Sequence, residues 1–469
     1  MKKLIFLLSS FLILSGCTKD FEAINTNPNN QEKASESLLL PTIIFDLSNT
    51  LVNQTYAFGD VISQYAANYE FNDIDIYRWQ GDDRFWSPMY GILQDISDLK
   101  NIAKTNENVN YESIALILEA YIFSIITDSY GDVPMSEANK TSEGLISPIY
   151  DKQEDIYNAL LNKLEEANML INTSETVTGD ILYGGDMLKW KKFANSLKLR
   201  LLIHTSNVQN IATDINTIIN DSNTYPIFES NDDNAIYKYS GNFPDISDVS
   251  QVGGGRGYEY FLRIPTTHFI NLLNDNNDPR LELWVSPKEG TNDRTLGTAP
   301  GQSLSDIGRP NELSRRSTEF FESATKIQGI FMTYSELNFI LAEVRENGII
   351  NLGTAEEYYN TAVTASFNQW EVTIPDNFLS ATVSYDNTTE RLYEQKWLAL
   401  YHTSMETWFD WKRTGKPNFI QAGSGNINSN KVPVRLQYPN LEQSVNTTNY
   451  NKASADMGGD TINASSWWW

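Results

Sequence analysis

The chain has 469 residues, with 60 acidic and 35 basic side chains, a formal charge of −25 and a single cysteine. Negative charge of this size repels a phosphate backbone, which excludes nucleic acid as an expected partner. One cysteine allows no internal disulfide bond, so the fold must be stabilised by its core. The length is sufficient for one large domain or two smaller ones.

The first residues have the pattern of an export signal. Lys2 and Lys3 are positively charged, residues 4–14 are almost all apolar, and Ser15 and Gly16 are the small residues that a signal peptidase requires. A helix of residues 4–14 would be about 16 Å long, which is too short for the roughly 30 Å hydrocarbon core of a bilayer. We therefore predict that residues 1–16 are a signal peptide that is removed.

Cys17 is the predicted lipidation site. Residues 14–17, Leu-Ser-Gly-Cys, resemble the bacterial lipobox, in which the cysteine thiol is acylated and becomes the new N-terminus. Several acyl chains, at about 0.8 kcal/mol per buried methylene group, would attach the protein stably to a membrane. The alternative is an incidental free thiol beside an ordinary cleavage site. Residues 17–33 are polar and rich in Asn, which predicts a lipidated flexible tether.

Hydrophobic periodicity predicts helices in pairs along the chain. Residues 88–104 and 111–128 form the first pair, and 151–171 with 186–207 form the second. Residues 111–128 are apolar nearly all round, with Glu119 in the middle, and have too few continuous apolar residues to span a bilayer. This composition indicates a buried central helix.

A third predicted pair lies in the C-terminal half. Its first helix covers 334–346, and Thr354 with Glu357 forms a capping box that begins a second helix ending near Trp370. The pair spans roughly 37 residues, close to the 34-residue helix-turn-helix of tetratricopeptide repeats. The three pairs predict an all-α, mostly helical fold built as a tetratricopeptide-like scaffold of helical pairs.

Two segments, 223–328 and 372–387, differ from the rest in composition. They are rich in Gly, Pro, Asn, Asp and Ser and have little helical or strand periodicity. Long irregular segments inside a compact protein usually carry function. We predict a single domain over 34–469, with loop insertions near these two segments.

Neither the three histidines nor the acids Asp128 and Asp132 form a recognised catalytic or metal-binding motif. His204, His268 and His402 are far apart in the sequence and outside any zinc signature such as His-Glu-x-x-His. Asp128 and Asp132 provide too few oxygen ligands for calcium, and we interpret them as helix-end and turn residues. We predict no metal site and no cofactor.

Paired carboxylates are the remaining signal for catalysis. Asp82-Asp83 and Asp232-Asp233 resemble the two acids that a glycosidase needs, but adjacent acids arise freely in a chain with 60 of them. Solvated surface is the better interpretation. Similarly, Asp410 and Arg413 are predicted to form a structural pair at i and i+3. We therefore predict no catalytic residue.

Five stretches along the chain resemble one known family. Residues 127–138 resemble the Thr-Asp-x-Tyr-Gly-Asp-x-Pro-x-Ser-Glu-Ala signature of SusD/RagB-like lipoproteins, in the nutrient-binding outer-membrane group called SusD-like family two. Four further stretches resemble other motifs of that group: FEAINTNPNN at 21–30, YSELNFILAEVRENG at 334–348, WFDWKRTGKP at 408–417 and VPVRLQYPNLEQSVNTTNY at 432–450. The matches occur in order, so the resemblance covers the whole chain.

The resemblance implies a fold and a function. Members are mostly helical lipoproteins of the outer membrane, in which irregular insertions carry the ligand site. They capture an oligosaccharide or peptide outside the cell and deliver it, as a hinged lid, to a TonB-dependent (SusC-like) barrel transporter. In many relatives, acids directly after the lipidated cysteine direct the protein to the outer face. Here the acids within 18–22 are interrupted by Phe21.

The first predicted ligand-binding group lies in residues 73–86. Capture of a sugar or peptide requires flat apolar rings and a few directed hydrogen-bonding groups, and this stretch concentrates both. The resemblance implies that the region contributes to the ligand face. The predicted residues are Asp75, Tyr77, Arg78, Trp79 and Gln80. The alternative is that Trp79 only packs on its neighbours. Trp86 and Tyr90, at i and i+4, are predicted to lie in the core.

A second predicted ligand-binding group lies in the glycine-rich stretch 240–261. Phe243, Arg256, Tyr258 and Tyr260 offer rings and a planar donor on a loop that could adapt to a ligand. The alternative is that these rings fix the loop to the protein. Two other functions stay open, a helical-repeat adaptor that binds only protein and a helical glycoside hydrolase.

Overall fold

The computed structural model describes residues 35–469, except for the side chains of Ser142 and Tyr258. The predicted signal peptide, the lipidation site Cys17 and the tether at 17–33 lie outside the described residues.

Helices form most of the regular structure. In chain order they are α1 Glu36–Gln54, α2 Asp60–Ile62, α3 Trp86–Thr105, α4 Val109–Tyr130, α5 Gln153–Leu170, α6 Met187–His204, α7 Ala212–Asn220, α8 Gly257–Phe261, α9 Thr267–Asp275, α10 Arg280–Trp284, α11 Thr318–Glu322, α12 Tyr334–Glu346, α13 Ala355–Gln369, α14 Thr389–Ala399, α15 Glu406–Thr414, α16 Asn440–Val445 and α17 Thr447–Asp456. Two π-helical segments, Thr55–Gly59 and Phe378–Thr382, are also present.

The long helices pack on one another in chain order. Helix α1 contacts α3, and α3, α4, α5 and α6 each contact the next. Helix α12 packs on α6 and on α13, and α13 packs on α14. This succession confirms the predicted all-α scaffold of helical pairs.

Side-chain caps mark the first residues of several helices, at the positions that the sequence predicts. The Asp186 side chain accepts hydrogen bonds from the backbone N–H groups of Leu188 and Lys189 and caps α6. The capping box of Thr354 and Glu357 at the start of α13 is confirmed. Such caps satisfy backbone donors that have no partner within the helix.

Helix α4 lies at the centre of the fold. By length and composition it could cross a membrane, so the expectation that it has too few apolar residues is wrong. However, 83% of its most apolar window is buried inside the structure, as in a core helix. The predicted buried central helix is therefore confirmed.

Short strands connect the long irregular segment to the scaffold. They are β1 Ala66–Asn68, β2 Ala235–Lys238, β3 Arg263–Pro265, β4 Val285–Ser286, β5 Arg315–Arg316 and β6 Gln328–Met332. They form three antiparallel pairs, β1 with β3, β2 with β6 and β4 with β5. The segment 223–328 is thus less irregular than its composition indicates, since it also contains α8 to α11. The β1–β3 pair places this segment beside the first predicted ligand-binding group.

Candidate functional site

A pocket of about 280 Å³ lies beside Trp79, between the loop that precedes α3 and the end of α4. We call it the Trp79 pocket. Its aromatic residues are Phe58, Trp79, Phe85 and Tyr130, and its other lining residues are Asp73, Ile74, Arg78, Gln80, Asp82, Arg84, Leu436 and Gln437. The pocket therefore contains Arg78, Trp79 and Gln80 of the first predicted group.

Trp79 is half-buried and held in place by its neighbours. Its ring packs edge-on against Phe58, with the ring centroids 4.9 Å apart, and lies 6.0 Å from Trp408. Its indole N–H donates to the carbonyl of Ile74 at 3.0 Å. The side chain therefore both packs on its neighbours and lines the pocket, so neither interpretation from the sequence excludes the other.

The charges that line the Trp79 pocket are paired. Arg78 Nη1 lies 3.0 Å from Asp73 Oδ1, and Arg84 Nη2 lies 2.5 Å from Asp82 Oδ2. The positive charges of the two guanidinium groups are therefore balanced by the negative charges of the two carboxylates. The amides of Gln80 and Gln437 supply neutral donors and acceptors beside them.

Asp75 and Tyr77, the other two residues of the first group, lie behind the pocket. Each is 6% exposed, and neither lines the cavity. The Asp75 carboxylate accepts hydrogen bonds from the backbone N–H and the side-chain amide of Asn68, at 2.9 and 2.7 Å. Burial raises the pKa of Asp75 to about 7. A direct ligand contact by either residue stays a prediction.

The second predicted group is not brought together in one pocket. Phe243 is 91% exposed, and Arg256 is exposed and pairs with Glu259 at 3.2 Å. Tyr260 is buried, and its hydroxyl donates to the carbonyl of Ser317 at 2.8 Å. The side chain of Tyr258 lies outside the described part of the chain. Tyr260 thus supports the alternative that rings fix this loop, while ligand binding by the group stays a prediction.

The π-helical segment Thr55–Gly59 separates the two predicted groups. Tyr56 packs against Tyr260, with ring centroids 5.6 Å apart, whereas Phe58 packs against Trp79. Side chains two residues apart point to roughly opposite sides of a helix. The two predicted groups therefore do not form one continuous set of rings.

Several pocket residues are not predicted from the sequence, although most lie in stretches singled out there. Arg84 and Phe85 belong to 73–86, Tyr130 to the signature 127–138, and Gln437 to the closing motif 432–450. Phe58 has no such signal, because only the packing of α1 on the scaffold brings it to the pocket.

The signature 127–138 places Asp128 in a buried hydrogen-bond network. Its carboxylate accepts from the hydroxyl of Tyr157 at 2.7 Å and from the indole N–H of Trp468 at 3.0 Å, and it lies 3.1 Å from His204 Nδ1. The ammonium of Lys412 donates to the Asp128 carbonyl. These contacts join α4, α5, α6 and α15, so the signature has a structural role beside the pocket.

The remaining histidines and acid pairs are also engaged within the protein. His402 is buried beside Arg316, and His268 stacks on Phe419. The predicted Asp410–Arg413 pair is confirmed, with Oδ1 and Nη2 2.8 Å apart. Among residues 35–469, no three His, Cys, Asp or Glu side chains are grouped so that they could hold a metal ion.

Both acid pairs considered for glycosidase chemistry have protein partners. Asp82 pairs with Arg84, and Asp83 accepts hydrogen bonds from the Ser87 hydroxyl at 2.7 Å. Asp233 is buried and accepts from the ammonium of Lys192 at 3.0 Å. The interpretation of these acids as solvated surface is therefore wrong for Asp233, which is buried in an ion pair.

His204 should make the stability of the protein depend on pH. Burial lowers its pKa, but Glu406 and Asp128 outweigh this effect and raise the pKa from 6.5 to about 9. The folded protein therefore retains a proton that the unfolded chain loses above pH 6.5. We expect this contribution to the free energy of unfolding to be complete below pH 6.5. It should be lost as the pH rises to 9, with a slope of at most about 1.4 kcal/mol per pH unit.

Urea denaturation at several pH values, in the wild type and in His204→Gln, checks this expectation. Burial also lowers the pKa of Lys412 to about 7, but Lys412 is present in both proteins, so the difference between the two curves isolates His204. A difference that stays constant between pH 6.5 and 9 would contradict it.

Solved structures similar to this chain share its fold over almost the whole length. A SusD homologue from Bacteroides fragilis has a TM-score of 0.81 and 23% identity, covering 93% of this chain and 99% of its own. A chitin-binding protein has a TM-score of 0.78 and 26% identity, with 92% and 98% covered. A SusD homologue from Bacteroides uniformis has a TM-score of 0.77 and 26% identity, with 92% and 99% covered.

No curated protein sequence matches the chain significantly. A family profile, in contrast, matches residues 28–439 and is described as starch-binding associating with outer membrane. This match spans most of the chain, and with the structural similarity it shows that the chain belongs to SusD-like family two.

Proposed function

We propose that this protein is a surface-facing, lipid-anchored nutrient-binding protein of the outer membrane. It captures a neutral oligosaccharide in the Trp79 pocket and delivers it, as a lid, to a TonB-dependent (SusC-like) barrel transporter. It binds its ligand without altering it. The observation that carries the proposal is the half-buried ring of Trp79 on a pocket that also offers neutral amides.

The chemistry of the pocket supports a neutral sugar. A sugar ring has weakly polar faces that pack on an aromatic ring, and hydroxyl groups at its edge that need donors and acceptors. Trp79 supplies the ring, and Gln80 and Gln437 supply the amides. The arginines are already paired with aspartates, so a charged ligand would find little uncompensated charge. The family description and the chitin-binding relative favour saccharide over peptide.

Trp79→Ala should weaken oligosaccharide binding by at least about 1 kcal/mol, roughly a fivefold rise in Kd, because an aromatic anchor is lost. The measurement is calorimetric titration of the purified full chain with chitin-derived and starch-derived oligosaccharides. A panel of short peptides forms the second arm. Unchanged affinity for the saccharide that binds the wild type would remove Trp79 from the site.

Trp411→Ala is the matched control for Trp79→Ala. Trp411 is also a half-buried tryptophan but does not line the Trp79 pocket, so its loss should leave affinity unchanged. Thermal unfolding of both variants separates loss of binding from loss of folding. Equal loss of affinity in the two variants would indicate a general effect on structure.

Attachment to the membrane should depend on Cys17. Cys17→Ser removes the thiol that we propose is acylated, so the chain should lose incorporation of labelled palmitate and appear in the soluble fraction after cell lysis. Protease treatment of intact cells tests surface exposure of the wild-type protein. A Cys17→Ser chain that stays with the membrane would contradict anchoring through this residue.

Two results would favour the other function classes. Co-purification of a barrel transporter, without binding of any saccharide or peptide, would favour an adaptor that binds only protein. Turnover of an oligosaccharide that is abolished by changing one acid, for example Asp83→Asn, would favour a glycoside hydrolase.

A further inference from the structure

Glu119, the charged residue in the middle of the apolar helix α4, lies between two lysines from neighbouring helices. Lys100 of α3 is 2.6 Å from one carboxylate oxygen, and Lys163 of α5 is 3.2 Å from the other. The three side chains are only 14–22% exposed. Two ammonium groups therefore share one carboxylate, which leaves one positive charge in excess within this partly desolvated cluster of three side chains.

These lysines line a cavity of about 480 Å³ between α3, α4 and α5. The volume lies within the range of roughly 300–1,000 Å³ that is usual for small-molecule sites. Leu93, Phe123 and Ile156 give the cavity apolar walls, against which the body of a ligand can pack. The cavity thus combines apolar surface with charged donors.

Lys100, Lys140 and Lys163 line this cavity together with Glu119, Asp151 and Asp155, so the formal charges balance and the excess lies in N–H donors. Each ammonium has three N–H donors, and Glu119 can occupy only one or two on each lysine. Lys140, at the same cavity, pairs with no carboxylate among residues 35–469. Asp151 is already engaged, because it accepts from the backbone N–H groups of Met135 and Ser136, both at 2.8 Å. Asp151 and Asp155 are the other two acids at this cavity, and both oppose an incoming anion.

We propose that this cavity is a second ligand site, which binds a small solute that carries a carboxylate on a ring or on a short apolar body. Lys100 and Lys163 bind the carboxylate, and the walls of Leu93, Phe123 and Ile156 accept the body. The same chemistry is offered by a sugar acid and by the C-terminal carboxylate of a dipeptide.

The second site is separate from the Trp79 pocket and does not rest on the function proposed for that pocket. The two cavities share no lining residue within the described part of the chain. Glu119 lines the second site and Tyr130 lines the Trp79 pocket. Both residues belong to α4, and they lie about 16 Å apart along the helix axis. Binding at one site can therefore be tested while the other is disabled.

Calorimetric titration of the full chain tests the proposal with two pairs of probes. Glucuronate is compared with glucose, and alanyl-phenylalanine with its C-terminal amide, so that each pair differs in the carboxylate. We expect one carboxylate probe or both to bind, with the neutral analogue at least tenfold weaker. The carboxylate probe that binds more tightly shows whether the natural ligand is a sugar acid or a peptide. If neither binds, the proposal is overturned.

Variants of the three charged residues separate a ligand site from a purely structural ion cluster. Lys163→Met should weaken binding of the carboxylate probe at least tenfold, while Lys163→Arg should retain it. Glu119→Gln should strengthen binding, because it removes the internal competitor for both ammonium groups. Weaker binding in Glu119→Gln, at an unchanged thermal midpoint, would overturn the proposal.

Trp79→Ala is the matched control from the other pocket. It should leave affinity for the carboxylate probe unchanged while it weakens the oligosaccharide. If Trp79→Ala abolishes binding of the carboxylate probe, the carboxylate occupies the Trp79 pocket and the second site is refuted.

Discussion

Replacement of Trp468 by alanine is expected to lower the free energy of unfolding by about 3–5 kcal/mol. The Trp468 side chain is 1% exposed, and its ring lies 5.3 Å from the ring of His204. Its indole N–H donates to Asp128 at 3.0 Å. The substitution would therefore leave a large cavity in the core and remove one donor from a buried carboxylate.

Urea denaturation with linear extrapolation measures this effect. Trp468→Phe keeps most of the volume but removes the N–H donor, so we expect a smaller loss of about 1–3 kcal/mol. Leu441→Ala is the exposed control, because Leu441 is 55% exposed and should change stability by less than about 0.5 kcal/mol. A Trp468→Ala loss no larger than that of Leu441→Ala would contradict the expectation.

The second large effect is expected at Glu336, which forms a buried ion pair with Arg200. The Glu336 carboxylate lies 2.5 Å from Arg200 Nε and 2.6 Å from Nη2, and the two side chains are 1% and 4% exposed. Arg200 also donates to the carbonyl of Phe331 at 2.9 Å. Glu406, 3.8 Å away, can neutralise Arg200 only in part. Glu336→Ala should therefore lower the free energy of unfolding by about 3–5 kcal/mol, because it leaves a buried charge without its main partner.

Two comparisons make this prediction specific. The double variant Arg200→Met with Glu336→Leu should cost less than Glu336→Ala alone, because the unpaired guanidinium is also removed and Glu406 keeps His204 as its partner at 2.9 Å. Glu259→Ala breaks the exposed Arg256–Glu259 pair and should cost about 0–1 kcal/mol. Equal losses for the buried and exposed pairs, measured by urea denaturation, would contradict the prediction.

Several of the long helices follow from the sequence because a hydrophobic periodicity marks each of them. Residues 334–346 are predicted as a helix, and the structure has the same bounds. Helix α1 is not predicted, because Pro41 in its interior removes a hydrogen-bond donor and normally ends a helix. The helix persists because side chains such as Ile43 and Leu47 are fully buried against the scaffold. Tertiary packing, and not local sequence preference, therefore stabilises α1.

The candidate site is predictable in composition but not in orientation. The rings and polar groups of 73–86 predict a ligand-binding stretch; in the structure Arg78, Trp79 and Gln80 of this stretch line a pocket, and ligand binding by them stays a prediction. The same stretch gives no indication that Asp75 and Tyr77 point inward, because an irregular segment has no periodicity from which to assign faces. The positive φ of 63° at Tyr77 shows how irregular the backbone is there.

The Trp79 pocket joins parts of the chain that are far apart in sequence: Phe58 follows α1, Trp79 precedes α3, Tyr130 ends α4, and Gln437 precedes α16. A molecule that fills it touches all four parts at once, so it has affinity for the folded chain and almost none for the unfolded one. By mass action, such a molecule raises the temperature of unfolding as its concentration increases. A thermal-shift screen of solutes can therefore identify the cargo before any affinity is known.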